Sequence, residues 1–483
     1  MKVSIVNPNL SGDVSILDIG ITCLSTYINE RTIHESSIID FTFHRKKWKK
    51  HLAAELCSQD PDVLGISATS LYMPYCREII SEAKKNKDSL KIIMGGWHCA
   101  VDPDDSINNY PQVDAIIMGD GEYALEEYLD NLENSKPFSG IKGVWFRDNT
   151  GKIVRNTTRP LIEDLDSLPF PDYDQWKDID KYLFYNQMLY VIGNRGCPFS
   201  CTYCSEALKR EKIPGPHIRW RTPESFVEEI RYHYEKYKNR GMRIAHIFDP
   251  VFPNNKEWLF GFVTAYKKSG LSGELPFSCF TRADTIDEER IKMLASANCR
   301  ILRTGIEAGN EGIRRGIYNK NISNDQYRRV FEMIHKEGIK ITGYNMLGGP
   351  GETPETLKDT FDFVRELDVD RPIFFTYRPL HKTRSAEILL EKGGKVTGWD
   401  GIDSLHRRYN IVTDSLNPRK VGLFRYKCLF YFTLRRAFRL IKKQKAGFFI
   451  NLIRFFIAGF RDGLDFEYII GYFFVCAGDN LTE

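Results

Sequence analysis

"NRGCPFSCTYCSE", residues 194–206, places three of the chain's eleven cysteines within eight positions: Cys197, Cys201 and Cys204, spaced C-x3-C-x2-C. Three thiols pose a question of stoichiometry. A structural zinc site takes four ligands, and the only candidate fourth is His217, thirteen residues on, with no second CxxC in the chain. A disulfide would use two thiols and leave one over. A four-iron cluster held by three thiolates leaves one iron with an open coordination position. That iron can chelate the amino and carboxylate groups of a ligand. The preceding "LYVIGNRG" (189–196) is an apolar run ending in glycine, so it predicts a strand that delivers the thiols on a loop at its carboxyl end.

Five further apolar runs follow, each after a helical pattern: "IAHIFD" (244–249), "FSCF" (277–280), "ILRTGIE" (301–307), "KITGYNML" (340–347) and "PIFFTYRP" (372–379). The helix from about 223 carries its own start signal, Thr222 as N-cap and Pro223 in the first turn. Six βα units suit a partial barrel with its chemistry at the strand ends. Arg282 lies just beyond one strand and is fit to pair with a carboxylate. Glu307 ends another and is fit to accept hydrogen bonds. "GGPGET" (348–353) reads as a structural turn before a helix, and Asp249 stands before Pro250 with its role open.

The cysteine spacing, with an aromatic at Tyr203, resembles the signature of the radical S-adenosylmethionine superfamily. The resemblance implies a 4Fe–4S cluster on Cys197, Cys201 and Cys204. It also implies S-adenosylmethionine as a cofactor, split reductively to a 5′-deoxyadenosyl radical. Tyr203 would pack on the adenine, and Arg282 and Glu307 match positions that bind S-adenosylmethionine in similar enzymes.

Residues 1–140 alternate short apolar runs, at 2–6, 36–40, 63–68, 91–96 and 114–119, with helical stretches such as 74–86 and 122–134. Strand and helix at this pitch predict a doubly wound parallel sheet whose ligand sits at the carboxyl ends of its strands. The loops there carry Ser67 and Thr69, then Gly95, Gly96 and His98, then Gly119, Gly121 and Glu122. Ser-x-Thr followed after 25 residues by Gly-Gly resembles the cobalamin-binding domain of corrinoid enzymes. These eight residues are then the expected cobalamin contacts. The histidine that ligates cobalt in that family is replaced: "DIGITC" (18–23) keeps Asp18 but has Gly20 at that place. For His98, a role in shaping the loop suits better than ligation of cobalt.

Net charge +4 gives no reason to expect nucleic acid as a partner, and no run of 18 uncharged apolar residues marks a membrane span. Scattered cysteines and no secretory signal fit a reducing cytoplasm. The expected fold is α/β. A Rossmann-like cobalamin-binding domain (1–140) leads through a connective segment (141–185) to a partial (β/α)6 barrel (186–385). A basic helical region (386–483) follows. Residues 416–461 hold twelve Lys or Arg and no acid, interleaved with aromatics, and read as two helices joined near Gln444–Gly447. They suit peripheral contact with the inner membrane face, a cap over the barrel mouth, or a site for an anionic substrate.

Together the resemblances imply a cobalamin-dependent enzyme that methylates an unactivated carbon of a small-molecule or lipid-like substrate, fed by an electron donor such as flavodoxin or ferredoxin. Oxidative cyclisation or ring rearrangement is the alternative. A non-catalytic corrinoid and iron–sulfur sensor is a third.

Overall fold

The N-terminal alternation becomes a seven-stranded sheet in the computed structural model. That structure describes residues 1–397, except Gly12, Ile16 and Pro253, and residues 409–464, except Lys445 and Gly463. The parts of 386–483 at 398–408 and 465–483, Cys476 included, lie outside the described residues. The chain folds as two units. One comprises Met1–Ile179, Cys204–Arg219 and Leu380–Lys382; the other comprises Asp180–Tyr203, Trp220–Pro379 and the chain from Thr383.

In the first unit the strands are β1 (Lys2–Asn7), β2 (Glu35–Asp40), β3 (Val63–Ser67), β4 (Lys91–Gly95), β5 (Ala115–Ile117), β6 (Val144–Arg147) and β7 (Ile153–Arg155), in the order β2-β1-β3-β4-β5-β6-β7. β1 to β5 are parallel. Their central strands are continuous apolar runs, as expected of a sheet covered on both faces: Val63, Leu64, Ile92 and Met94 are fully buried. The chain runs from β1 out to β2 and returns across β1 to β3. The winding therefore reverses between β1 and β3, where such sheets open a crevice at the strand ends. β6 and β7 extend the sheet as an antiparallel hairpin, so part of the segment expected to be connective is sheet. Its turn is held by Asp148, whose Oδ1 accepts from the backbone N–H of Thr150 (2.9 Å) and of Lys152 (3.0 Å).

The second unit carries β8 (Met188–Val191), β9 (Ile244–Ile247), β10 (Phe277–Thr281), β11 (Cys299–Glu307), β12 (Lys340–Leu347) and β13 (Arg371–Thr376). All are parallel and neighbours in chain order, a curled half-barrel sheet. The helices between them start where the sequence signals. Thr222 Oγ1 accepts from the Ser225 N–H at the head of Pro223–Tyr237, and Thr353 with Thr356 forms a capping box on Pro354–Glu366.

In the first unit the loops after β3 and β4 are stitched together. The Ala68 N–H donates to the Gly95 carbonyl (2.7 Å) and the His98 N–H to the Ala68 carbonyl (2.9 Å). Gly96 between them has φ +100°, and a Cβ there would stand 2.9 Å from the Ala68 carbonyl oxygen. Both the left-handed backbone and the close approach require glycine. Gly96→Ala is expected to cost about 2–4 kcal/mol, from backbone strain plus overpacking. It should show as a lowered unfolding midpoint by circular dichroism; an unchanged midpoint would contradict this account of the turn.

Candidate functional site

The expected cobalamin residues gather at the carboxyl ends of β3, β4 and β5. Ser67 Oγ donates to Asp18 Oδ2 (3.3 Å), while Asp18 Oδ1 caps the helix Ile19–Arg31 by accepting the Ile21 N–H (3.0 Å). Burial raises the Asp18 carboxyl above its ordinary range against these hydrogen bonds. The Thr69 carbonyl closes a turn with the Tyr72 N–H (2.8 Å). Gly119 and Gly121 shape the loop after β5, and buried Glu122 opens the helix Glu122–Glu133, where its charge favours the dipole.

His98 is 1% exposed. Its Nδ1 meets Ser70 Oγ (2.9 Å) and its Nε2 meets Asp105 Oδ2 (2.8 Å). The bond from His98 holds the Asp105 carboxyl below its ordinary value. With both ring nitrogens engaged, His98 ties the β3 and β4 loops to the helix Pro103–Asn108. Gly95 differs from its neighbour. Its φ is not left-handed, and a Cβ there would meet only Ile117 atoms at 3.8–3.9 Å. The fold itself does not require glycine at 95, so the bare backbone is free for a ligand.

In the second unit, Asp249 prepares the end of β8. Its Oδ1 accepts the N–H groups of Gly193 (2.8 Å) and Asn194 (3.1 Å), fixing the chain just before Cys197. Asp249 is fully buried with Oδ2 unpartnered, and burial pushes its carboxyl up to about 8 despite the two backbone bonds. Beyond it, Cys197 is half-buried and Cys201 buried; Cys204, where the chain passes into the first unit, is half-buried, and none is in a disulfide. Among the described residues, the trio of metal-capable side chains whose donor atoms converge within 4.8 Å is His34, Asp130 and Glu133 in the first unit. The cysteine loop does not form such a single-ion cage.

Arg282 donates from Nη1 to the Cys201 sulfur (3.2 Å). It binds Asp284 in a fork, Nε to Oδ1 (2.9 Å) and Nη2 to Oδ2 (2.7 Å), and lies 3.6 Å from the centre of the Phe199 ring. Three of its five N–H donors are therefore engaged. The loop is pinned by Thr202, whose N–H reaches the Tyr318 carbonyl (3.2 Å) and whose Oγ1 reaches the Ile317 carbonyl (2.7 Å). Tyr203 donates its hydroxyl to Glu307 Oε1 (2.9 Å), which also takes Lys320 Nζ (3.0 Å). Glu307 ends β11 in the left-handed region, φ +65°, a strained place for a residue with a side chain. For Lys320, burial works against the charge, but Glu307 and Tyr327 outweigh it and raise the ammonium.

Sequence reasoning brought Tyr203 and Glu307 to one place but missed Lys320, Asp284, Asp105 and Ser70. The R-x-D spacing of Arg282 and Asp284 was an available signal; the others depend on contacts distant in the chain. "GGPGET" has a structural part. Glu352 Oε2 accepts the N–H groups of Gly348 (2.6 Å) and Gly349 (2.8 Å), while its buried Oε1 is unpartnered.

Burial pushes Glu352 up to about 7, above the unfolded value near 4.5. A carboxyl raised on folding contributes stability below the unfolded pKa, and that stability is lost as pH rises through the folded one. Glu352→Gln removes the titration. Variant minus wild-type stability should therefore rise by about 3 kcal/mol between pH 4.5 and pH 7.5. Thermal unfolding at the two pH values reads this; a difference independent of pH would refute it.

The radical SAM superfamily matches residues 191–364, and the B12 binding domain matches residues 10–129. The chain is 27% identical over 437 residues to an uncharacterized methyltransferase of Pyrococcus horikoshii, covering 90% of this chain and 88% of that protein. It is 25% identical over 369 residues to the anaerobic magnesium-protoporphyrin IX monomethyl ester cyclase of Rubrivivax gelatinosus, covering 74% of this chain and 62% of the cyclase. The radical S-adenosylmethionine methyltransferase TsrM from Kitasatospora setae, solved with cobalamin and a 4Fe–4S cluster bound, shares the fold. The TM-score is 0.68 at 20% identity, over 83% of this chain and 78% of that one. Carrying both domains on separate stretches of one chain, this protein belongs to the cobalamin-binding radical S-adenosylmethionine enzymes.

Proposed function

We propose that this enzyme transfers a methyl group to an unactivated carbon of a small-molecule or lipid-like substrate. The observation that carries the proposal is the three-thiol loop beyond β8, with the Arg282 guanidinium 3.2 Å from the Cys201 sulfur. Cys197, Cys201 and Cys204 hold the 4Fe–4S cluster. Their thiols fit it, being outside any disulfide. Ser67, Thr69, Gly95, Gly96, His98, Gly119, Gly121 and Glu122 line the cobalamin site, and at Gly95 the fold itself does not require glycine. When bound, the cluster and the corrin supply an electron that splits S-adenosylmethionine and a methyl group that a carbon radical accepts.

The chain's own work is positional. Asp249 fixes the backbone leading into the cysteine loop, and Arg282 places a cation on Cys201. Two N–H donors of Arg282 are left over to pair with the carboxylate of S-adenosylmethionine. Glu307 uses part of its accepting capacity on Tyr203 and Lys320 and keeps the rest for ribose hydroxyls. Tyr203, oriented by that bond, offers its ring to the adenine. His98, with both ring nitrogens engaged by Ser70 and Asp105, shapes the corrin-side loop.

The enzyme works in the cytoplasm with a donor such as flavodoxin or ferredoxin, and touches the inner membrane face peripherally through 416–461. Likeness to the Rubrivivax cyclase favours one second reading, oxidative cyclisation or ring rearrangement. Incubating anaerobically reconstituted enzyme with methyl-deuterated S-adenosylmethionine and cell extract decides between them by product mass: deuterium in the product means methyl transfer, its absence means cyclisation. Cys201→Ala is expected to lower 5′-deoxyadenosine formation at least ~10²-fold. Formation at the unmutated rate would sink both readings, and a wild type that makes none would point to a sensor.

A further inference from the structure

The helix Pro418–Gln444 is apolar on two opposite sides. Val421, Arg425, Cys428 and Phe432 are buried along one side. Phe432 packs on Phe361 and Phe374 (centroids 5.6 and 5.5 Å), and Arg425 Nε reaches the Phe374 carbonyl (3.1 Å). These contacts dock the helix on β13. Leu423, Tyr426, Phe430, Leu434 and Phe438 are exposed, Phe430 and Phe438 at 69% and 71%. At 100° per residue, these five form one stripe centred about 180° from the docked side. Helix Ala446–Arg461 repeats the arrangement: Phe455 packs on Phe184 and Tyr185, while Ile453, Ile457 and Phe460 are exposed. Nine of the eighteen exposed large apolar residues among those described lie between 423 and 460, so this is a patch and not scatter.

Charge identifies the occupant. Between Ser415 and Arg461 there is no acid and there are twelve cations. Arg419, Lys420 and Lys427 lie within about 60° of the stripe's centre, and Arg454 and Arg461 border the second stripe along one side. Arg435 and Arg439 are spent on Asp368. No helix among the described residues is long and apolar enough to cross a membrane. A helix with an apolar stripe bordered by Lys and Arg lies in the plane of a bilayer, its apolar side chains among the acyl chains and its cations on the headgroups.

We propose that the outward stripes of Pro418–Gln444 and Ala446–Arg461 dock this enzyme on the surface of a bilayer containing anionic lipid. This gives residues and a lipid charge to the peripheral contact stated above, on which it rests, and is independent of the radical chemistry. The full chain is sedimented with vesicles of phosphatidylcholine alone and of phosphatidylcholine with phosphatidylglycerol. Binding should need phosphatidylglycerol and weaken with added salt. Phe430→Glu/Phe438→Glu should cut partitioning at least about tenfold. Lys420→Gln/Lys427→Gln should weaken it to a smaller degree, with 5′-deoxyadenosine formation unchanged in both variants. Three results would overturn the proposal: no binding to either vesicle, equal binding to both, or equal partitioning of the wild type and the Glu variant. A dimer that Phe430→Glu/Phe438→Glu disperses while vesicles stay bare would overturn it in favour of a second copy. Loss of deoxyadenosine formation with vesicle binding intact would instead strike the chemistry above.

Discussion

A cysteine sulfur that is to carry negative charge in a nearly dry place needs a cation facing it, and Arg282 stands 3.2 Å from Cys201. The guanidinium is itself expensive to bury, and it is made tolerable by Asp284, which takes two of its donors, and by the Phe199 face beneath it. The arrangement is a chain of compensation: carboxylate, guanidinium, sulfur. Arginine suits it better than lysine, because a planar fork can grip Asp284 and still point a third donor elsewhere. The strand β10 that ends at Thr281 sets the whole group, so the barrel and the cysteine loop are bound by one side chain.

Two acids at strand ends solve a different problem in the same way. Asp249 after β9 and Glu352 after β12 each accept two consecutive backbone N–H groups through one oxygen and leave the other oxygen buried and unpartnered. Backbone donors favour the charged form, yet burial wins at both, and the carboxyls rise to about 8 and about 7. A group poised in that way is a hydrogen-bonding clamp more than a charge. It holds a glycine-containing turn in shape.

What the sequence revealed depended on how local the cause was. The six barrel strands were legible because each is a contiguous apolar run, and the cysteine loop because its spacing is short. The hairpin of β6 and β7 was missed, although Asp148 and Gly151 signal its turn, because strands of four and three residues leave too little alternation to read. The Tyr203–Glu307–Lys320 group was half legible. Two members stood out by position, but Lys320 lies thirteen residues from Glu307 and no pattern announces their contact. His98 was suspected of shaping its loop. That both its nitrogens are engaged depends on Ser70, twenty-eight residues earlier, and Asp105, seven later.

The C-terminal helices mark the limit of periodicity as a guide. Aromatics interleaved with Lys and Arg read as two helices with basic and apolar faces, for which three explanations compete. The structure divides those aromatics between two faces. Phe432 and Cys428 are used in holding the helix to the half barrel, so packing against this unit already accounts for them. Phe430 and Phe438 are not used there, and packing against this unit does not explain why such rings stand in solvent beside cations. Burying one exposed phenylalanine is worth about 2 kcal/mol. A stripe of five apolar side chains left facing water is therefore a large reserve of free energy, released only when something covers it, and the acid-free sequence around it selects what can.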